Sequence, residues 1–381
     1  MTVESLELSG IDGTNPLGFL SALGALVAAR QAGEKGACLR WTRTSTWVPV
    51  LDRISSTCNP VDISARIAGA LRGRAVSESD EERRATTQRE FEAAKQAVGK
   101  KEKDIRGRGL SRKDREAATE QEVYPLKEAS EEKRQRWLDA LKKAVPSPEL
   151  ALGKRIDCTP EEYRELTDMF LRGSEHIGRE TLDLLAAFGS DACKEQRVPA
   201  IRPTPFCFIK GGGHQFFLDT VRQLMEQVTP ERVKQALFES WVYRDEKLSM
   251  RWDPSEDRRY ALMDRDPTAS DNKSRTVWMA NLLGYRALVL FPCAPTGAGL
   301  GTTAWSDAGT ENPVLTWPVW EFPLPPDTIR SLLQLSEFAK PQPDRAALRA
   351  LGIADAFRAH RIRFPPTGSN YKTNFSPARA V

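Results

Sequence analysis

Histidine and paired cysteine are scarce in this sequence. Its 381 residues include only three histidines, which lie in different segments, and no HExxH motif. The six cysteines are scattered, without a CxxC pair or the Cys/His spacing of a zinc site. Metal-dependent hydrolysis is therefore poorly supported, and we expect no metal and no cofactor. Unpaired cysteines of this kind are typical of reduced thiols in a cytoplasmic protein.

Long hydrophobic runs are missing as well. The apolar run PLGFLSALGALVAA has fourteen residues and contains two glycines, which is too short to span a bilayer. Glu4, Glu7 and Asp12 precede it, and this acidic charge is wrong for a secretory signal peptide. The run therefore predicts a core helix, and we expect no membrane partner.

The bulk composition indicates a folded chain with more than one domain. Hydrophobic residues make up 40% of the chain, with 9 Trp and 15 Phe, and this is enough for a well-filled core. Single cores usually stop growing at about 250–300 residues, so 381 residues favour an insertion or a second lobe. The formal charge is only +4, so any attraction for phosphate must be local.

The order of predicted elements favours an α+β fold, with a mixed α/β core and a charged helical insertion. A strand, a turn and a helix open the chain, with Asn15 as the N-cap and Pro16 at the first helical position. An apolar strand is expected at 286–292, and a pair of strands around LTWPVWEFPL. The expected organisation is 1–70 as the N-terminal part of the core, 71–145 as the insertion, 146–360 as the rest of the core, and 361–381 as a mobile or partner-ordered tail.

The insertion contains the strongest local charge. Between Lys100 and Arg115 the chain has eight basic and three acidic residues, interrupted by the glycines of RGRGLS. Such a loop tip could contact a nucleic-acid backbone, or it could be the end of a solvated helical hairpin with no ligand, and the sequence leaves both open. The candidate residues are Lys100, Lys101, Lys103, Arg106, Arg108, Arg112, Lys113 and Arg115.

A second candidate is the stretch EKLSMRWDPSEDRRYAL at 246–262, which mixes carboxylates and arginines. Asp253, Glu256 and Asp257 could hold a divalent ion, but the neighbouring guanidiniums would compete for them. We therefore expect an ion-paired structural turn with Trp252 and Tyr260 packed inward. Arginines left over, with Arg258 and Arg259 as candidates, could reach a phosphate.

A third candidate is the turn KGGGHQFF at 210–217. Three glycines before a helix could expose backbone N–H groups to an anion, although a plain tight turn between a strand and a helix is the favoured interpretation. Lys210 and Gln215 bracket this turn, and Gln215 could reach a base edge. Lys273 and Arg275 add further positive charge in the segment TASDNKSRTVW.

Three of these segments resemble CRISPR-associated proteins. NPLGFLSALGAL, GGGHQFFLDTVRQL and RWDPSEDRRYAL followed by LVLFP are similar to the large-subunit-like component of type I-U/I-G Cascade surveillance complexes. The resemblance runs in patches from about residue 6 to residue 325 and leaves the segment 71–145 unmatched.

The resemblance implies a non-catalytic subunit of a crRNA-guided ribonucleoprotein complex for antiviral defence. Its expected partners are crRNA, double-stranded target DNA, other CRISPR-associated backbone subunits and a helicase-nuclease recruited in trans. Such a subunit reads the flanking motif and helps to open the duplex, and Thr14, Asn15 and Gln215 are the candidate readers. The alternative is a metal-dependent nuclease or nucleotide-binding enzyme that uses Asp253, Glu256 and Asp257.

Overall fold

The computed structural model of the protein describes residues 3–55, 59–154, 156, 158–172, 179–195, 198–209, 215–256, 275–297, 299–307, 312–364 and 372–381. The chain divides into a larger unit, Met1–Gly73 with Lys154–Val381, and a smaller unit, Arg74–Gly153. Helices and antiparallel strands build a mixed α+β fold, as the sequence predicted. No helix in the described ranges is long and apolar enough to cross a membrane.

The larger unit opens with a three-stranded antiparallel sheet and two helices. The sheet has the order β1-β3-β2. Asn15 caps α1, accepting the backbone N–H groups of Leu17 and Gly18, and Pro16 follows it as predicted. Asn59 and Pro60 repeat this arrangement at α2. The elements are β1 (Val3–Glu7), α1 (Pro16–Gln31), β2 (Cys38–Arg43), β3 (Trp47–Ser55) and α2 (Pro60–Arg72).

The rest of the larger unit contains short helices and a second antiparallel sheet. Its helices are α6 (Pro160–Arg172), α7 (Arg179–Phe188), α8 (Phe217–Glu226), α9 (Pro230–Phe238), α10 (Trp278–Arg286), α11 (Pro326–Leu332) and α12 (Arg345–Ala350). Its strands are β4 (Asp245–Glu246), β5 (Arg275–Thr276), β6 (Cys293–Thr296), β7 (Gly299–Thr302), β8 (Trp305–Ser306), β9 (Val314–Trp320), β10 (Ile353–Phe364), β11 (Lys372–Phe375) and β12 (Arg379–Ala380). The second sheet has the order β11-β10-β9-β8, and β12 also pairs with β10.

Helices α1 and α10 form a closely packed parallel pair at the centre of the larger unit. Ser21 Oγ donates to the carbonyl of Ala280, and a Cβ at Gly24 would lie 1.7 Å from the carbonyl oxygen of Leu283. Both contacts advance along the two helices in the same direction, which makes the pair parallel. Only a residue without a Cβ allows this approach, so the small residues of the apolar run serve packing.

Aromatic side chains fill the space between α1 and the sheets. The ring of Phe19 stacks on Trp41 and on Trp317, with centroid distances of 5.9 and 5.8 Å. The indole N–H of Trp320 donates to the carbonyl of Leu39 at 2.7 Å. Every residue of β9 is buried, because this strand lies inside its sheet between β8 and β10. The tryptophans of the sequence therefore build the core.

The smaller unit is a helical hairpin with a short crossing helix. It contains α3 (Glu78–Gly107), α4 (Arg112–Glu122), α5 (Tyr124–Lys143) and a 3₁₀ helix at Pro148–Leu152. Helices α3 and α5 are antiparallel, since Phe91 stacks on Trp137 at 5.6 Å while Glu102 pairs with Lys127 at 2.8 Å. Gly109, with φ of +64°, lies in the turn between α3 and α4, where the glycines of RGRGLS predicted a break.

Three elements differ from the sequence-based expectation. The apolar run at 286–292 is the end of α10 followed by a 3₁₀ helix at Ala287–Leu290, because a short run buried on all sides has no periodicity that separates helix from strand. The expected strand pair around LTWPVWEFPL is the single strand β9. The described part of the expected tail is ordered by the chain itself, since β11 and β12 pair with β10.

Candidate nucleic-acid interface and a buried carboxylate pair

The eight predicted cations of residues 100–115, here called the basic tip, lie at the end of the smaller unit where α3 turns into α4. Lys100, Lys103, Arg106, Arg108, Arg112, Lys113 and Arg115 are exposed, and Lys101 is partly exposed. The tip contains one buried residue, Ile105. The charged side chains of the tip therefore face solvent and do not form part of a hydrophobic core.

A small ion-pair network occupies part of the basic tip. Glu122 accepts from Arg108 at 2.7 Å and from Lys101 at 2.6 Å, and Arg108 also pairs with Asp104 at 2.7 Å. The hydrogen bonds from Arg108 and Lys101 lower the pKa of Glu122 to about 2, and the two carboxylates raise the pKa of Arg108. These pairs join the end of α3 to the end of α4, so Lys101 and Arg108 are mainly structural.

Six cations of the tip lie outside this network, and four of them form neither an ion pair nor a side-chain hydrogen bond with the described residues. Within the described ranges, no carboxylate lies within ion-pairing distance of Lys100, Lys103, Arg106 or Lys113. Arg112 forms only a solvent-exposed pair with Glu116, which stabilises little, and Arg115 donates to the carbonyl of Leu110. The tip thus presents a cationic surface that internal pairing does not neutralise.

Helix α4 carries its charges in the order that is unfavourable for a helix. Arg112, Lys113 and Arg115 outnumber Asp114 near its N-terminus, and Glu120 and Glu122 lie near its C-terminus. The helix macrodipole favours the opposite arrangement. No residue of α4 is buried, so tertiary packing does not explain the choice. The stability of α4 therefore does not account for these positive charges.

The acidic residues of the 246–262 stretch have a different environment from the tip. Asp253 and Glu256 are 2% and 4% exposed. Asp253 accepts the side-chain amide of Asn15 and the backbone N–H of Ser255, both at 2.8 Å, and the hydroxyl of Tyr243 at 2.7 Å. Asn15 begins α1, so the carboxylate of Asp253 lies at the positive end of that helix.

Glu256 is connected by hydrogen bonds to α10, the second helix of the parallel pair. Its two carboxyl oxygens accept the hydroxyls of Ser249 and Thr276, and Asn281 of α10 donates to the Thr276 hydroxyl at 2.8 Å. Burial, together with the charge of Asp253, raises the pKa of Glu256 to about 8. Asp253 and Glu256 therefore link the N-terminal ends of α1 and α10, which accounts for the close spacing of these carboxylates in the sequence.

This network differs from the ion-paired turn that the sequence predicted. Within the part of the chain that the structure describes, no guanidinium forms an ion pair with Asp253 or Glu256. The carboxylates instead accept hydrogen bonds from amide and hydroxyl donors, several of them in distant segments. The arginines close to them in the sequence do not predict these partners. Trp252 is fully buried and donates to the carbonyl of Phe206 at 3.0 Å, so its inward packing agrees with expectation.

The remaining sequence candidates are dispersed. The hydroxyl of Thr14 donates to Asp12 at 2.8 Å. Asn15 uses its side-chain oxygen as the cap of α1 and its amide nitrogen on Asp253, which is an internal role; base readout by Asn15 stays a prediction. Gln215 is partly exposed, and Arg275 lies in β5. The candidates Lys210, Arg258, Arg259 and Lys273 lie outside the described residues, as do Asp257, Tyr260 and the three glycines at 211–213.

Sequence reasoning did not identify Tyr243, Ser249, Thr276 or Asn281 as partners of the carboxylates, because polar residues of these types occur throughout the chain. In the described ranges, no three His, Cys, Asp or Glu side chains come together as a metal site would require.

No family model matches the chain, and no curated protein matches it.

Proposed function

We propose that this chain is a non-catalytic, nucleic-acid-contacting subunit of a crRNA-guided CRISPR effector (Cascade) complex in the cytoplasm. In this role it contacts double-stranded target DNA near the flanking motif and the end of the crRNA. It supports duplex opening, binds other CRISPR-associated subunits and helps to recruit a helicase-nuclease. The resemblance of NPLGFLSALGAL, GGGHQFFLDTVRQL and RWDPSEDRRYAL to such subunits supports the proposed assembly.

The observation that carries the nucleic-acid contact is the set of four cations at the basic tip that form neither an ion pair nor a side-chain hydrogen bond among the described residues. Lys100, Lys103, Arg106 and Lys113 are exposed on a scaffold held together by the Glu122 network. Cations of this kind bind phosphates by releasing counterions, and they need no defined pocket. Because phosphate contacts fix position without reading sequence, the tip supports backbone binding, and the flanking motif is read elsewhere.

The second candidate function is a metal-dependent nuclease or nucleotide-binding enzyme that uses Asp253, Glu256 and Asp257. A metal ion at Asp253 and Glu256 would have to replace hydrogen bonds that satisfy two buried carboxyl groups, and this exchange is costly. The geometry favours the first candidate. Cleavage of DNA by the purified chain with magnesium or manganese, lost in Asp253→Asn, would favour the second.

The basic tip can be tested by replacing Lys100, Lys103, Arg106 and Lys113 together with Gln. We expect this variant to bind a 30-base-pair duplex more weakly. Fluorescence anisotropy over a salt series measures the binding. The slope of log K against log salt should fall by up to about 3.6, because each lost phosphate contact removes about 0.9. Folding should be retained, since these side chains are exposed.

A matched control removes four exposed cations from the same unit outside the tip. Arg83, Arg89, Arg136 and Lys143 serve this purpose, and their Gln variants should keep the wild-type slope. Equal losses of salt slope in the two variants would mean that net charge alone explains the effect, and would contradict a specific interface.

Membership of the complex is tested separately. A tagged chain purified from its source should retain a small RNA carrying the guide's 5′ handle, and the absence of this RNA would contradict the proposed assembly.

A further inference from the structure

The larger unit contains a segment whose backbone is unusually strained. Six described residues other than glycine have positive φ, and four of them lie between 243 and 251. They are Tyr243, Lys247, Leu248 and Arg251, with φ of 51°, 61°, 45° and 61°. A side chain in this region costs on the order of 1 kcal/mol or more. Such strain persists only where the surroundings hold the chain in place.

Hydrogen bonds from several elements hold this segment. The hydroxyl of Tyr243 donates to Asp253 at 2.7 Å, and the backbone N–H of Met250 donates to the Asn281 side chain at 2.8 Å. Between these points, β4 pairs with β5, and the backbone N–H of Trp278 donates to Asp245 at 2.8 Å. The segment is thus fixed on the same network that joins α1 and α10.

Cations lie in and directly beside the two-stranded ribbon that β4 forms with β5. Glu246 is opposite Arg275, and Asp245 is opposite the buried Thr276. Arg244 directly precedes β4 and Lys247 directly follows it. Arg244 and Lys247 are exposed. Within the described ranges, neither forms an ion pair.

A fourth cation is held rigidly beside the ribbon. The guanidinium of Arg232 lies 4.7 Å from the ring centroid of Trp278. It also donates to the backbone carbonyl and side-chain oxygen of Gln227, at 2.9 and 3.0 Å. The indole N–H of Trp278 donates in turn to the carbonyl of Glu246 at 3.3 Å. Arg232, Arg244, Lys247 and Arg275 are here called the ribbon surface.

We infer that the ribbon surface is a second nucleic-acid contact, which binds backbone phosphates on the larger unit independently of the basic tip. A fixed backbone presents Arg244 and Lys247 with less entropy to lose on binding, which explains why the strain is tolerated. The four cations of the ribbon surface outnumber the two carboxylates of β4, Asp245 and Glu246. The surface therefore keeps a net positive charge, and phosphate is the favoured partner. The inference rests on the proposed function for the class of ligand, and the site is separate.

The test uses the full-length chain with Arg244→Gln and Lys247→Gln combined. Binding of fluorescein-labelled 30-mers, as duplex DNA and as single-stranded DNA and RNA, is measured over a salt series. We expect affinity at low salt to fall several-fold, with the salt slope reduced by about 1.8 for a duplex or about 1.4 for a single strand. The melting temperature should stay within a few degrees, because both side chains are exposed.

Lys35→Gln with Arg349→Gln is the matched control, since both residues are exposed and the same charge is removed from the larger unit. An unchanged slope in the ribbon variant, or an equal loss in the control, would overturn the inference. The tip variant, measured alongside, separates the two sites: if it binds normally while the ribbon variant does not, the basic tip is excluded and the ribbon surface stands.

An acidic protein is the competing partner class. Poly-L-glutamate serves as its probe in the same assay. If the ribbon variant loses binding to poly-L-glutamate but retains wild-type affinity for all three nucleic acids, the ribbon surface is a protein contact and the inference is wrong. A wild-type chain that binds none of the nucleic acids overturns both the inference and the proposed tip interface.

Discussion

A single asparagine connects the start of α1 to the acidic residues that follow Trp252. Asn15 and Asp253 are 238 positions apart in the chain, yet the amide of Asn15 does two things at once. Its oxygen caps α1, and its nitrogen satisfies a buried carboxylate. A residue with one such role is replaceable by other cap residues, whereas the double role requires an acceptor and a donor on the same short side chain.

Replacement of Asn15 should therefore cost more than the loss of an ordinary cap. Asn59 is the natural control, because it also precedes a proline, caps α2 and donates its amide N–H to a carboxylate, Asp62, but at an exposed site where water can replace that bond. We expect Asn59→Ala to lower the free energy of unfolding by about 1 kcal/mol. Asn15→Ala should cost about 2–4 kcal/mol, because it also removes one of the three hydrogen bonds that the buried carboxylate of Asp253 accepts. Asn15→Ser keeps the cap but cannot reach Asp253, so its loss of unfolding free energy in urea measures the hydrogen bond between Asn15 and Asp253. Equal costs of the Ala variants at positions 15 and 59 would refute the double role of Asn15.

Elements differ in how much of their structure is encoded locally. The cap at Asn15 depends on neighbours a few residues away and was predicted from the sequence. The hydrogen bonds between Thr159 and Glu162 at the start of α6 are equally local. The helical hairpin was also predicted, because its charge-dense composition favours helix. The run at 286–292 was predicted wrongly, since its burial on all sides comes from tertiary packing. The partners of Asp253 and Glu256 depend on contacts across the whole chain, which local patterns do not contain.

Helix α4 offers a test in which stability and binding change in opposite directions. Lys113 lies in its first turn, where an acidic residue interacts better with the helix dipole. Lys113→Glu should raise the stability of the smaller unit by about 0.3–1 kcal/mol while weakening duplex binding by more than Lys113→Gln does. Circular dichroism during thermal unfolding and anisotropy measure the two effects.

Lys143→Glu is the matched control for α4, because Lys143 is exposed in the last turn of α5. The same charge reversal at a helix C-terminus should lower stability. Duplex binding should remain near the wild-type value, since Lys143 lies outside the basic tip. A destabilised Lys113→Glu variant would indicate that Lys113 stabilises the fold, and its role as a free phosphate-binding cation would then be rejected.

At the scale of the whole molecule, the two units contain carboxyl groups with opposite pKa shifts. Ion pairs lower the pKa of Glu122 in the smaller unit to about 2. Its contribution to stability is therefore present above its ordinary pKa of 4.5 and is lost as the pH falls toward 2. Burial raises the pKa of Glu256 in the larger unit to about 8. Folding therefore favours its protonated form, and stability is lost as the pH rises from 4.5 to 8.

The larger unit should consequently become less stable between pH 5 and pH 8, at up to about 1.4 kcal/mol per pH unit for one proton. His360 has the opposite slope below its ordinary pKa of 6.5, because burial and the nearby Arg358 and Arg379 lower its pKa in the folded state. The measurement is therefore a difference: urea unfolding of wild type and Glu256→Gln across this range, with Gln chosen because it mimics the neutral carboxyl group. The variant should lose the downward slope and approach or exceed the wild type at pH 8. Parallel pH profiles of the two proteins would mean that Glu256 is ionised in the folded state, and the link between α1 and α10 would then depend on a charged carboxylate pair.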